Sequence, residues 1–211
     1  MGIKLLDCTL RDGGYINDWK FGYRTAKSII QKLVDSNADY VEVGFLRNCS
    51  YDKNATLFNN IAELKKILPR EQKNTKFTVM ALHNKYDITK LEPNDGTVEA
   101  VRVTFHDYDI DEGLEFVKKV MEKGYKCFCN PINIMGYSDQ EILNLIQKIN
   151  QIKPYAFSIV DTFGSMIKSD LLRIYSLLEH NLDKSIVIGL HLHENLSLSY
   201  SLAQEFIGMR N

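Results

Sequence analysis

Two short stretches of the 211-residue sequence carry side chains that can share one reaction: DCTLRDGGY, Asp7 to Tyr15, and GLHLHEN, Gly189 to Asn195. On an extended strand alternate side chains face the same way, their backbones about 7 Å apart, so His191 and His193 can both turn onto one metal ion. Each can also simply hydrogen-bond locally. A carboxylate at the same rim favours the metal, because mixed nitrogen and oxygen ligands suit a catalytic divalent cation that keeps positions open. Asp12 is the natural third ligand, with Gly13 and Gly14 letting the backbone bend away behind it. Arg11 keeps its charge at any working pH and can stabilise a developing oxyanion without competing for protons. The alternative, an ion pair between Arg11 and Asp12, is disfavoured because neighbours at a strand end point apart.

The elements that must position these groups are legible as seven β-branched runs: IKLLDCTL, DYVEVGFL, KFTVMAL, EAVRVTF, YKCFCNP, AFSIVDTFG and SIVIGLHLH. Helical patterns separate them. Leu57, Phe58, Ile61, Leu64 and Leu68 fit one, and Ile142, Leu145, Ile146 and Ile149 fit another behind a capping box of Ser138 and Glu141. Strands buried on both faces and joined by helices predict a parallel α/β sheet, either doubly wound or closed as a barrel. Both architectures place ligands at the carboxyl ends of the strands. Those ends are polar, with Glu42 and Arg47, His83, Arg102 and His106, Asn130, Asp161 and Thr162. His180 closes a helical pattern and reads as a partner of that helix's C-terminal dipole. The loop RNCSYDKNATLFNN after the second strand reads as a lid or substrate contact, or equally as plain surface.

No linker or repeat interrupts residues 1–211, which predicts one domain. A closed barrel needs eight βα units and about 250 residues. The expectation is therefore a TIM (β/α)8-type barrel truncated after seven units, the N-terminal part of a longer chain, with a homo-oligomer expected and the exposed strand edges covered by another chain or by a rearranged terminus.

Composition narrows the function. With 26 basic and 27 acidic residues and a net charge of −1, there is no electrostatic footprint for nucleic acid. No apolar run reaches the roughly 20 residues of a membrane span, and MGIKLLDCTL lacks the order of a secretion signal, so a cytoplasmic protein is expected. Cys8, Cys49, Cys127 and Cys129 imply no disulfide, and Cys127 and Cys129 read as core or cavity lining rather than a zinc site.

DCTLRDGG and GLHLHEN, with VEVGF on the second strand and VDTFG on the sixth, resemble the metal-dependent lyase and aldolase barrels of 3-hydroxy-3-methylglutaryl-CoA lyase, 4-hydroxy-2-oxovalerate aldolase and the homocitrate and isopropylmalate synthases. The resemblance implies Arg11 as enolate stabiliser and Asp12, His191 and His193 as ligands of a divalent metal, Mn or Mg, or else Zn. It implies carbon–carbon bond cleavage or formation through the enolate of a 2-oxo acid such as pyruvate, with Thr162 on the substrate carboxylate. Glu42, Arg102 and Asn130 join the substrate-facing set, Glu42 either ordering a water or holding Arg11. Where the oxovalerate aldolases carry a histidine acid or base, this sequence has Tyr15, a proton donor but a poor base. His83 and His106 are substitute bases. The cysteine-bearing glycine-rich loop of the CoA lyases is not seen, which favours a small oxo acid or aldehyde over a CoA thioester. Other readings are a Claisen-type synthase, a non-catalytic metal- or oxo-acid-binding barrel, and an iron oxygenase, whose facial triad uses the same ligand types.

Overall fold

The computed structural model describes residues 2–71 and 73–209. The strands are β1 (Leu6–Asp7), β2 (Tyr40–Leu46), β3 (Leu57–Phe58), β4 (Lys76–Leu82), β5 (Ala100–Phe105), β6 (Lys126–Pro131), β7 (Ala156–Val160) and β8 (Val187–His191). The helices are α1 (Thr9–Asp12), α2 (Tyr23–Asp35), α3 (Ile61–Leu64), α4 (Ile110–Glu122), α5 (Asp139–Ile152), α6 (Lys168–Asn181) and α7 (Ser199–Gly208). Asn211, where the last helical pattern stops in the sequence, lies outside the described residues.

The strand order is β1-β2-β4-β5-β6-β7-β8, with β3 beside β2. A doubly wound sheet reverses its order at a switch point, whereas this path never reverses, the winding of a barrel. The fold is α/β with parallel strands, an incomplete TIM-like barrel. Among the described residues no helix is long and apolar enough to cross a membrane.

Contacts divide the chain into two compact units, Met1–Val103 with Lys119–Lys126, and Thr104–Lys118 with Cys127–Asn211. In the first, β2 is buried along its whole length and pairs with β4 in parallel. Helix α2 covers it with Ala26, Ile30 and Val34, spaced so that one face is apolar. In the second, β7 is buried throughout and pairs with β8, whose five residues are only half-buried. Helix α5 buries Ile142, Leu145, Ile146 and Ile149. Its N-terminus carries the expected reciprocal cap, with Ser138 Oγ accepting from Glu141 N at 3.3 Å and Glu141 Oε2 accepting from Ser138 N at 2.7 Å. Cys127 and Cys129 are fully buried, and all four cysteines are free thiols.

Two expectations fail locally. Leu57 and Phe58 do not open a helix but form β3, which pairs with Phe45 and Leu46 of β2. The reason lies in the first strand, which also departs from its reading. It pairs with β2 only at Tyr40 and Val41 and then turns into α1, so β3 takes the neighbouring position beside the far half of β2.

Candidate active site

Helix α1 begins because the Cys8 carbonyl accepts from both Arg11 N, at 3.0 Å, and Asp12 N, at 2.7 Å. Arg11 and Asp12 therefore lie on a helical turn rather than at a bare strand tip. Their side chains converge, with Arg11 Nη1 donating to Asp12 Oδ1 at 2.5 Å, so the expectation that these neighbours point apart is corrected. The glycines also act differently from the reading. Gly13 has ordinary helical angles, while a Cβ on Gly14 would lie 2.0 Å from Trp19 Cδ1, so Gly14 makes room for the indole.

Behind Arg11 is a buried charge cluster. Glu42 Oε2, on β2, accepts from Arg11 Nε at 2.7 Å and from Arg102 Nη1 at 2.9 Å. All three side chains are buried, and Glu42 Oε1 has no hydrogen-bond partner among the described residues. Burial alone would lower the Arg11 pKa, but Glu42 and Asp12 outweigh it and push the value up, so the guanidinium is held firmly charged. Cys8 shares this environment. Burial first, and then the Glu42 charge, push its thiol up to about 11.

Above the cluster sits an aromatic group. The Trp19 indole donates to the Arg11 carbonyl at 2.7 Å and meets Tyr15 and Phe45 edge-on at centroid distances of 4.9 and 5.5 Å. Tyr15 is 63% exposed. Arg47, just past β2, lies over the Phe45 ring at 4.6 Å and over Trp19 at 5.8 Å. His83 follows β4 and is half-buried.

In the second unit, His191 ends β8 and His193 follows it, their rings 4.9 Å apart and nearly perpendicular. His193 Nδ1 lies 2.7 Å from the Asp161 carbonyl. A carbonyl only accepts, so Nδ1 carries the proton and the lone pair is on Nε2. The backbone is prepared for this. Asp161 N donates to His191 O at 2.9 Å, and the Asp161 carboxylate accepts from Ser165 N and Met166 N. Gly164, at φ +62, brings its loop against Asn195, where a Cβ would come within 2.7 Å of the Asn195 Cβ.

The remaining candidates in this unit are tied to structure. Thr162 Oγ1 accepts from Asn133 N at 2.7 Å, which leaves its O–H to donate. Asn130 Nδ2 donates to Phe128 O at 3.0 Å. His106 caps the turn before α4, its amide donating to Asp109 Oδ1 at 2.6 Å and its ring stacked on Tyr108. His180 Nδ1 donates to Ser176 O at 2.8 Å, as expected of a residue closing α6.

The structure thus joins Arg11, Asp12, Glu42 and Arg102 in the first unit and pairs His191 with His193 in the second. Sequence reasoning passed over Trp19, and it named Arg47 and Asp161 only as polar strand ends. An indole spaced from two glycines was the one available signal.

A family model described as HMGL-like matches residues 2–210. Solved structures of similar fold include the N-terminal domain of a candidate aldolase from Bacteroides vulgatus, 23% identical with a TM-score of 0.77, covering 98% of this chain and 70% of that one. An HMG-CoA lyase from Bacillus subtilis is 13% identical with a TM-score of 0.74, covering 98% and 74%. The carboxyl transferase domain of Rhizobium etli pyruvate carboxylase, bound to 3-bromopyruvate, is 15% identical with a TM-score of 0.73, covering 97% of this chain and 38% of that one. At these identities the likeness to the solved structures is one of fold.

Proposed function

The chain belongs to the HMGL-like family, one of lyases, aldolases and carboxyl transferases that typically use a divalent metal, and from that premise we propose that it is a metal-dependent aldolase making or breaking a carbon–carbon bond next to the carbonyl of a 2-oxo acid such as pyruvate. The observation that carries this reading is the His191 and His193 pair, one ring of which has its tautomer set by the Asp161 carbonyl.

The donor set fits a divalent cation. Metal-binding imidazoles characteristically donate their other N–H to a carbonyl or carboxylate, and His193 does so. In this reading Asp12, His191 and His193 hold the ion, with Mn or Mg ahead of Zn. When bound, such an ion polarises the substrate's keto oxygen as a Lewis acid.

The chain's own groups do the rest. Arg11 faces the oxygen on which negative charge develops, and its proton is never at stake because Glu42 and Asp12 hold it charged. Glu42 is a positioning residue, fastening Arg11 through Nε and Arg102 through Nη1. The Thr162 O–H donates to the substrate carboxylate while its oxygen accepts from Asn133. Tyr15, exposed at the turn after α1, gives a proton to the enolate carbon during cleavage and takes it back during synthesis. His83 takes the proton of the substrate hydroxyl during cleavage and returns it during synthesis, since His106 is engaged in capping. Asn130 orients backbone near Thr104, whose Oγ1 donates to its carbonyl at 3.0 Å. The working form is a homo-oligomer covering β8, half-exposed where β7 is buried. A monomer by light scattering would overturn that part.

The test is release of pyruvate from a panel of 4-hydroxy-2-oxo acids with Mn or Mg supplied. Turnover that falls at least about hundred-fold in Arg11→Lys supports the reading, since removing one stabilising donor typically has that effect. No turnover of any member, with metal bound, would leave a binding barrel instead.

A further inference from the structure

Arg47 is the one member of the aromatic group whose charge the proposed reaction does not use. It is part-exposed, directly after β2, and its amide donates to Phe58 O at 2.9 Å, so its backbone is held by β3. Its guanidinium lies over the Phe45 and Trp19 rings. Among the described residues no carboxylate pairs with it, and the ionisable groups it feels are Tyr15 and Cys49 rather than any Asp or Glu. Burial of that charge pushes its pKa down. Arg11 and Arg102 differ, since Glu42 and Asp12 neutralise them. The cluster therefore carries three guanidinium groups against two carboxylates, and the uncompensated one is at the exposed side.

Its position relative to Arg11 is set by a shared ring. Arg11 Cζ lies 5.9 Å from the Phe45 centroid and Arg47 Cζ lies 4.6 Å from it. The two guanidinium groups are thus separated by no more than a short dicarboxylic acid can bridge. A guanidinium lying over aromatic rings can still bind a carboxylate along its N–H edge through two parallel hydrogen bonds.

We propose that Arg47 is the receptor for a second carboxylate on the substrate, so that the site selects a dicarboxylic 2-oxo acid over a monocarboxylic one of equal length. This rests on the oxo-acid reading above. Arg11 serves the reacting end and Arg47 the far end, with Trp19 tying the two together through its bond to the Arg11 carbonyl.

Calorimetric titration of the whole chain in Mn with 2-oxoglutarate and with 2-oxopentanoate tests it. The two acids share the reacting end and differ in the distal carboxylate. The expected result is at least about ten-fold tighter binding of 2-oxoglutarate, the size of a charge-assisted pair. Arg47→Met should abolish that ratio while holding 2-oxopentanoate within about three-fold, and Arg47→Lys should restore part of it. If Arg47→Met does not fold, Arg47→Gln gives the same reading. A wild-type protein that binds both acids equally, or a ratio that survives in Arg47→Met, overturns the inference and leaves the oxo-acid reading standing. Failure of the wild type to bind either acid overturns both.

Discussion

Glu42 and Phe45 face the same side of β2 although only two residues, Val43 and Gly44, lie between them. The register with β4 explains it, since Glu42 pairs with Thr78 and Phe45 with Met80, so β2 spends one residue more than its neighbour between the two. That bulge turns what alternation would make an outward ring into a neighbour of the ion cluster. Arg11 consequently binds Glu42 through Nε and lies over Phe45.

The bulge depends on Gly44, which adopts φ +146 and lets the Thr56 carbonyl approach. A Cβ there would sit 2.0 Å from that oxygen. Gly44→Ala is expected to destabilise the protein by about 3 kcal/mol, combining backbone strain with a steric overlap. Urea unfolding measures it, and a loss below about 1 kcal/mol would show that the bulge relaxes cheaply.

Glu42→Gln leaves two buried guanidinium groups facing a neutral amide. Breaking a buried pair by removing one partner typically costs about 3–5 kcal/mol, and the lower end is expected here because Asp12 still serves Arg11. Activity should fall as well, with kcat affected more than KM if Glu42 only positions Arg11.

Metal content probes the ligand set. Purified wild-type protein dialysed against Mn is expected to retain the ion by mass spectrometric metal analysis, and Asp12→Asn and His193→Gln to lose it by at least about ten-fold in affinity. Equal metal in Asp12→Asn and wild type would remove the carboxylate from the proposed set.

The Cys8 thiol is raised to about 11 from 9.0, so in metal-free protein it stays neutral where an exposed cysteine is ionised. At pH 9 it should react with iodoacetamide roughly fifty-fold more slowly than an unfolded control, as thiolate fraction dictates. The sign for stability follows. Between pH 9.0 and about 11 the unfolded chain has released this proton and the folded chain has not, so the contribution of Cys8 to stability falls as pH rises through that window. Peptide mapping that finds Cys8 alkylated as fast as the control would contradict the buried environment.

Much of this architecture was legible from residue patterns. Seven apolar runs correspond to the seven strands on the main sheet path, and the polar residues at or just past their ends include Arg47, Thr162 and His191, whereas Glu42 and Arg102, read as strand ends, lie within β2 and β5. The Ser138 and Glu141 cap follows from spacing alone because both halves of it are local. What escaped depends on partners remote in sequence or on a change of backbone. The first strand stops early because the Cys8 carbonyl recruits two amides into a helical turn, which no pattern of apolar residues reports. Leu57 and Phe58 fit a helical period equally well, and only the open edge beside β2 decides for a strand. Arg47 was visible as a polar strand end, but its aromatic seat needs Trp19, brought against Gly14 by a turn whose angles the sequence does not announce.

Trp19 is the single tryptophan of the chain. Its indole nitrogen is bonded to the backbone of Arg11 and its ring lies beneath Arg47. Light absorbed selectively by that ring is therefore emitted from one known place, so ligand arrival can be followed by unlabelled fluorescence, with no second indole to blur the signal.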